Sequence, residues 1–223
     1  MCRSVCIRII DAFLSIILIL LTLPVQLFLV LLIIALLKEN PVFVQERGIT
    51  SDSKRFALFK FRTIGSKQRW MNSTPHEKIR FLSHTADFEI NKTLSFIRRT
   101  GLDELPQLYN VLLGQMNFIG PRPLMNEDLT LMEKEFPYYN NLRRSVKSKP
   151  GITGLWQIYG SRAEGIENLI HYDLLFEKNK SLRMNFKIIA GTLKIILTAS
   201  NFDSGAENNH SKSHDISELI VSK

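Results

Sequence analysis

Between Arg98 and Pro123 the chain reads R-R-T-G-L-D-E-L-P-Q-L-Y-N-V-L-L-G-Q-M-N-F-I-G-P-R-P, which places two adjacent carboxylates, Asp103 and Glu104, in a basic frame. Arg98 precedes the pair, and Arg122 follows it by about twenty residues, held between two prolines. A carboxylate among fixed cations is equipped to attack phosphorus or to hold a metal ion. Pro106 suits the first turn of a helix, where its missing N–H would have no partner anyway. The spacing therefore predicts a helix from Glu104 to Leu113, ended by Gly114, with Asp103 as its N-cap. A carboxylate at that end faces the positive pole of the helix and is expected to stay ionised, and a phosphate would be held there too. The same residues also read as an ordinary capped helix with Leu105, Leu108, Tyr109 and Leu112 at core-facing spacing.

Other elements must bring partners to this pair. Pro41 to Arg47 and Arg55 to Arg62 alternate apolar and polar residues around G-I-T-S-D-S-K, the pattern of a β-hairpin. Lys60 and Arg62, at i and i+2, point the same way from such a strand, as a diphosphate would require or as a solvated face would show. Trp70 to His84 reads as a loop and short helix whose His76 and His84 are surface residues. Asn126 to Tyr139 is expected as one amphipathic helix with Leu129, Met132 and Phe136 on one side. A second runs from about Asn185 to Ala199, with Phe186, Ile189, Leu193, Ile196 and Leu197 opposite Lys187 and Lys194, fit for a membrane interface or for a core. From Asn201 the chain is polar and reads as a mobile tail.

Composition narrows the setting. The net charge of +8 fits nucleic acid, an anionic membrane surface or a phosphate-rich substrate, and a long apolar N-terminus favours the last two. Cys2 and Cys6 are the only cysteines, with no metal-ligand spacing, so a reduced, cytosol-facing domain is expected. From Ala12 to Leu37 there are 26 residues without a charge, more than a bilayer-crossing helix needs. Pro24 removes a hydrogen bond to the carbonyl of Leu20 near the middle of that run, with Thr22 available to bond a freed carbonyl and Gln26 close by. Basic residues flank both ends, Arg3 and Arg8 before and Lys38 and Arg47 after, so the charge rule sends neither end across. A kinked spanning helix and a re-entrant one fit these facts equally.

The motifs extend further. N-P-V-F-V-Q-E-R (Asn40 to Arg47), F-A-L-F-K-F-R-T (Phe56 to Thr63) and K-P-G-I-T-G-L-W-Q-I-Y-G (Lys149 to Gly160) join the Arg98 to Pro123 string in one order. Together they resemble the bacterial sugar transferase family, the initiating phosphoglycosyl transferases, over roughly residues 8 to 199. That family carries R-x-T-S-L-D-E-L-P-Q, N-V-L-x-G-x-M-S-x-V-G-P-R-P, G-P-V-F-F-Q-E-R, F-x-x-Y-K-F-R-T-M and K-P-G-I-T-G-x-x-Q-V-x-G. Here Gly101 and Asn117 replace serines, Asn40 a glycine and Asn185 an aspartate, and Ser161 separates Gly160 from Arg162.

The resemblance implies an α+β, helix-rich monotopic membrane protein. It would have a re-entrant helix broken at Pro24 (residues 1–39), a cytoplasmic catalytic domain with a small antiparallel sheet and interfacial helices (40–200), and a tail (201–223). It implies transfer of a phospho-sugar from a UDP-sugar to a polyprenyl phosphate such as undecaprenyl phosphate, releasing UMP. Asp103 would be the nucleophile, forming an aspartyl-phosphosugar, with Glu104 beside it and Mg²⁺ held at Asp103. Arg98 and Arg122 would clamp phosphates, as would Lys60 and Arg62. Location at the bacterial inner membrane and first place in glycoconjugate assembly go with that reading; nucleic acid does not, and a homo-oligomer is compatible with it. Two other classes fit the residues less well: a non-enzymatic membrane-tethered scaffold, and a glycosyltransferase that releases UDP.

Overall fold

An uncharged run of this length satisfies its backbone in lipid only by bonding within itself, and in the computed structural model it does so within α1, Cys2–Leu37. The structure describes residues 2–66 and 91–198; the expected loop and helix over Trp70 to His84, with His76 and His84, and the expected tail lie outside the described residues. Among the described residues α1 is the one helix long and apolar enough to cross a membrane. Its helical backbone runs through Pro24 without interruption. Thr22 Oγ1 donates at 2.6 Å to the carbonyl of Leu18, one turn back, and not to that of Leu20, while Gln26 Nε2 donates to Thr22 Oγ1 at 2.9 Å. Thr22 and Gln26 are thus satisfied locally.

One stripe of α1, including Asp11, Ser15, Gln26, Leu29 and Ile33, is buried, and the opposite side, including Phe13, Leu20, Leu21, Phe28 and Leu31, is exposed. Both ends of the helix touch the rest of the chain. Near the start, Arg8 donates to the carbonyls of Val111 at 2.7 Å and Leu112 at 2.5 Å. Near the end, Leu29 and Ile33 share a cluster with Phe61, Leu94 and Ile97.

The expected hairpin forms from β1, Val42–Gly48, and β2, Phe56–Phe61, antiparallel with Phe43 opposite Lys60. α2, Lys92–Thr100, follows, a helix the sequence marks by Asn91 as N-cap, whose side chain accepts from the N–H of Thr93, and by buried Leu94 and Ile97. It ends at Gly101, whose φ of 72° is left-handed, a conformation glycine enters without the strain a serine would carry.

The dyad does not cap an α-helix. Leu102–Glu104 is a single 3₁₀ turn, and α3, Gln107–Leu112, begins only after Pro106, which stands at its N-cap without a side-chain bond. The turn is closed by i to i+3 bonds, Glu104 N–H to the carbonyl of Gly101 at 3.0 Å and Leu105 N–H to that of Leu102 at 3.3 Å, and Pro106, with no N–H, adds none of the i to i+4 type at Leu102.

Beyond α3 come β3, Asn117–Ile119, and β4, Leu124–Met125, the latter joining the free edge of β1 to give the order β2-β1-β4. α4, Asn126–Glu135, and α5, Pro137–Arg143, replace the single helix expected over Asn126 to Tyr139, because the residue before a proline is pushed out of the α region and Phe136 sits at φ −130°. β5, Gly151–Thr153, pairs with β3 in parallel, so a second sheet exists where only one antiparallel sheet was expected. The two motif segments meet so closely there that a Cβ on Gly120 would lie 2.3 Å from the carbonyl of Lys149, and one on Gly151 2.1 Å from the Gly120 nitrogen.

α6, Leu155–Tyr159, α7, Gly165–Lys178, and α8, Leu182–Leu197, complete the described chain. Their buried residues, with those of α4, form the main core around Leu129, Met132, Trp156, Leu169 and Ile188. α8 starts earlier than expected because Ser181 caps it, accepting from the N–H of Met184. Only Met184 and Ile188 of α8 are buried; Phe186, Leu193 and Leu197 are exposed.

Candidate active site

The carboxylates meet a cation from the hairpin. Lys60 Nζ lies 3.0 Å from Asp103 Oδ2 and 3.1 Å from Glu104 Oε1, so one ammonium bridges both. What fixes strand β2 against the dyad is Asn110, fully buried on α3. Its Oδ1 accepts from the N–H of Phe59 at 3.0 Å, and its Nδ2 donates to the carbonyl of Ala57 at 2.6 Å and to Gln115 Oε1 at 2.6 Å. The amide stands in for a neighbouring strand one residue from Lys60. Replacing Asn110 by alanine leaves two half-buried backbone groups without this partner and is expected to cost about 3 kcal/mol. In thermal unfolding of the detergent-solubilised protein that appears as a fall of roughly 6–12 °C in Tm; an unchanged Tm would show that the strand does not depend on this amide.

Asp103 is 1% exposed. Burial raises its pKa to about 6, against the pull of Lys60 and with the repulsion of Glu104 added; the Lys60 hydrogen bond and Arg98 act the other way. The expectation that a helix terminus would hold this carboxylate firmly ionised is corrected on both counts. No α-helix starts there, and desolvation outweighs the neighbouring cations. Because the folded state holds the proton more tightly than the unfolded chain at 3.8, stability falls as pH rises from about 4 to about 6. Oδ2 is engaged by Lys60, while Oδ1 is buried and has no hydrogen-bond partner.

The four candidate cations do not all converge. Arg98, half-buried in the last turn of α2, lies close enough to favour the ionised form of Asp103, whereas Arg99 is exposed. Arg122 lies with its guanidinium 5.4 Å from the centre of the Trp156 ring and lines a cavity of about 170 Å³ together with Glu104. Leu105, Leu108, Ile158 and Ile195 make much of the remaining wall, with Gln157 contributing an amide. Arg62 instead donates to the carbonyl of Asn40 at 2.7 Å, pairs with Glu39 at 3.5 Å and stacks over Phe43. Its N–H continues the ladder to the carbonyl of Pro41 at 2.7 Å, and its stacking on Phe43, the cross-strand partner of Lys60, leaves it on the face of Lys60 but with its charge engaged by Glu39.

Among the described residues no group of three or more His, Cys, Asp or Glu stands ready to hold a metal ion. Asp103 and Glu104 supply two carboxylates, a donor set that suits Mg²⁺ when substrate phosphates complete its shell.

Buried Asp103 and half-buried Glu104, bridged by one lysine, thus stand beside a largely apolar cavity into which Arg122 and Glu104 bring opposite charges. The chain belongs to the bacterial sugar transferase family, whose profile matches residues 2–199. It is 30% identical over 177 residues to the exopolysaccharide production protein ExoY of Sinorhizobium fredii, covering 74% of this chain and 76% of that protein. It is 31% identical over 166 residues to the undecaprenyl-phosphate galactose phosphotransferase of Salmonella typhimurium, covering 71% of this chain and 34% of that one. Identity is 30% over 169 residues to the UDP-N-acetylgalactosamine-undecaprenyl-phosphate N-acetylgalactosaminephosphotransferase of Aeromonas hydrophila, with 74% and 38% covered. The chain thus spans about a third of the length of several curated relatives it matches.

Proposed function

We propose that this protein is a phosphoglycosyl transferase that moves a phospho-sugar from a UDP-sugar to a polyprenyl phosphate at the cytoplasmic face of the bacterial inner membrane. The observation that carries the reading is Asp103, buried, bridged to Lys60 through one oxygen and left with the other unengaged, within a family whose named members include undecaprenyl-phosphate phosphotransferases. Asp103 Oδ1 attacks the sugar-bearing phosphorus. The bond from that phosphorus to the bridging oxygen breaks, and UMP leaves with the electron pair. A phosphate oxygen of the polyprenyl phosphate then attacks the same phosphorus, and the Asp103 carboxylate is regenerated as the polyprenyl-diphospho-sugar forms.

Mg²⁺ held by Asp103, Glu104 and the donor phosphates would neutralise charge on the leaving UMP. Lys60 keeps two carboxylates together in a desolvated site, and Arg98 and Arg122 face the phosphates. The apolar wall of Leu105, Leu108, Ile158 and Ile195 suits the first isoprene units of the acceptor better than it suits sugar hydroxyls.

Both ends of α1 touch the same domain, at Arg8 and at Ile33, which supports an anchor whose flanks lie on one side of the bilayer. The exposed apolar face of α8 supports an interfacial placement for that helix. A single cysteine in the N-terminal flank that is labelled only from the periplasm would overturn this topology.

The reaction is tested by incubating membranes with a panel of UDP-sugars and undecaprenyl phosphate. UMP release, with adduct forming from donor alone, is expected; UDP release, or product only when both substrates are bound together, would exclude the two-step scheme. Since attack needs ionised Asp103, turnover on the donor is expected to fall with pH on the acid side, and because burial raises that pKa in the metal-free site while a bound Mg²⁺ lowers it, the limb should move to lower pH as Mg²⁺ is raised. An acid limb that ignores Mg²⁺ concentration would separate Asp103 from the metal.

A further inference from the structure

We propose that Arg143 and Asp173, a buried ion pair absent from every motif above, are positioning residues that set Arg122 against the phosphates; the role rests on the phosphate-clamp reading of Arg122. Arg143 ends α5 and is 0% exposed, and Asp173, on α7, is 2% exposed. Nε and Nη2 of Arg143 both lie 2.9 Å from Asp173 Oδ2, and Nη2 also donates to the carbonyl of Arg122 at 2.6 Å. Asp173 in turn accepts from the backbone N–H of Arg122. The pair therefore holds the Arg122 peptide groups on both sides.

The sequence makes this grip decisive. In Pro121-Arg122-Pro123 only Arg122 has a backbone N–H, so Asp173 takes the sole main-chain donor the tripeptide offers. Pro123 restricts Arg122 to extended backbone. With φ and ψ confined and both peptide groups bonded, the guanidinium is directed over Trp156 into the cavity shared with Glu104. Asp128, buried on α4, adds a negative charge near Arg143 that offsets the repulsion between the two arginines. Buried ion pairs add little net stability compared with apolar residues of the same volume, which fits a pair retained for geometry.

A thermodynamic cycle separates positioning from plain structure. The double variant Arg143→Met/Asp173→Leu, which leaves no buried charge unpaired between those two sites, is made in the parent and in Arg122→Ala. UMP release is measured with undecaprenyl phosphate and whichever of UDP-glucose, UDP-galactose, UDP-N-acetylglucosamine or UDP-N-acetylgalactosamine the parent uses fastest. We expect kcat/KM to fall about thirtyfold in the parent background but less than about threefold in Arg122→Ala, since a misplaced arginine matters only when the arginine is present. Equal losses in both backgrounds, or no loss in the parent, would overturn the positioning role while leaving the clamp intact. Full turnover by folded Arg122→Ala would instead overturn the clamp itself. Should the double variant not unfold cooperatively, Arg143→Lys, which keeps the charge but not the fork, is read through the same cycle. Loss of folding there as well would assign the pair a structural role and refute the proposal.

Discussion

Asp103→Asn is expected to abolish both turnover and the donor-derived adduct while leaving the protein folded and no less stable. The kinetic half follows from chemistry: an amide is a poor nucleophile towards phosphorus, and loss of a covalent nucleophile costs about 10⁴-fold or more. The stability half follows from burial. A carboxylate whose pKa is raised from 3.8 to about 6 makes the folded state pay roughly 3 kcal/mol at neutral pH for holding the charge, and asparagine removes that cost. Part of the gain is offset by the lost contact with Lys60, which retains Glu104 as partner at 3.1 Å. With sugar-labelled donor and no acceptor, the parent should yield one phospho-sugar adduct on the peptide spanning residues 102–107, discharged by polyprenyl phosphate. The variant should yield none, with an unchanged or higher Tm. Near-normal turnover by Asp103→Asn would place the chemistry elsewhere, and an inactive variant that also unfolds early would show that the carboxylate holds the fold together.

The contrast between what the chain announced and what it concealed follows from the range of the forces involved. Asp103, Glu104 and the hairpin were legible because adjacency and alternation are local, and the apolar run of α1 because its length exceeds any ordinary core helix. The helix boundary falls later than the spacing predicts because Glu104 and Leu105 bond three residues back, to Gly101 and Leu102, a choice that depends on what packs over the dyad. The raised pKa of Asp103 was not legible at all, since desolvation depends on every element packed over it. Arg62 shares the face of Lys60 but not its partners, because Glu39 and the carbonyl of Asn40 capture the guanidinium. Asn110, Arg143 and Asp173 act across distant segments and left no trace; the expected core face even missed Asn110, since Tyr109 is exposed and Asn110 and Val111 are buried in its stead. Gly101, by contrast, departs from the family's serine in a way its left-handed φ explains.

Lys60→Met is expected to lower turnover at pH 7 by about 100-fold and to move the acid limb of the pH profile upward, so that much of the loss is recovered near pH 9. Lys60 is the strongest cation acting on Asp103, and without it burial and the repulsion of Glu104 both favour the protonated acid. Each unit by which the pKa rises past the working pH removes about tenfold of the ionised nucleophile. A lysine that only gripped the donor diphosphate would behave otherwise: its loss would raise KM at every pH and leave the limb in place. The two roles are therefore separable in one experiment, kcat and KM for the donor measured across pH 5–9 in parent, Lys60→Met and Lys60→Arg. Arginine keeps the charge and should keep the limb near its parent position even where its larger fork lowers the rate. An unmoved limb in Lys60→Met, with the whole loss in KM, would return Lys60 to the role of a phosphate contact and show that the two carboxylates tolerate each other without it.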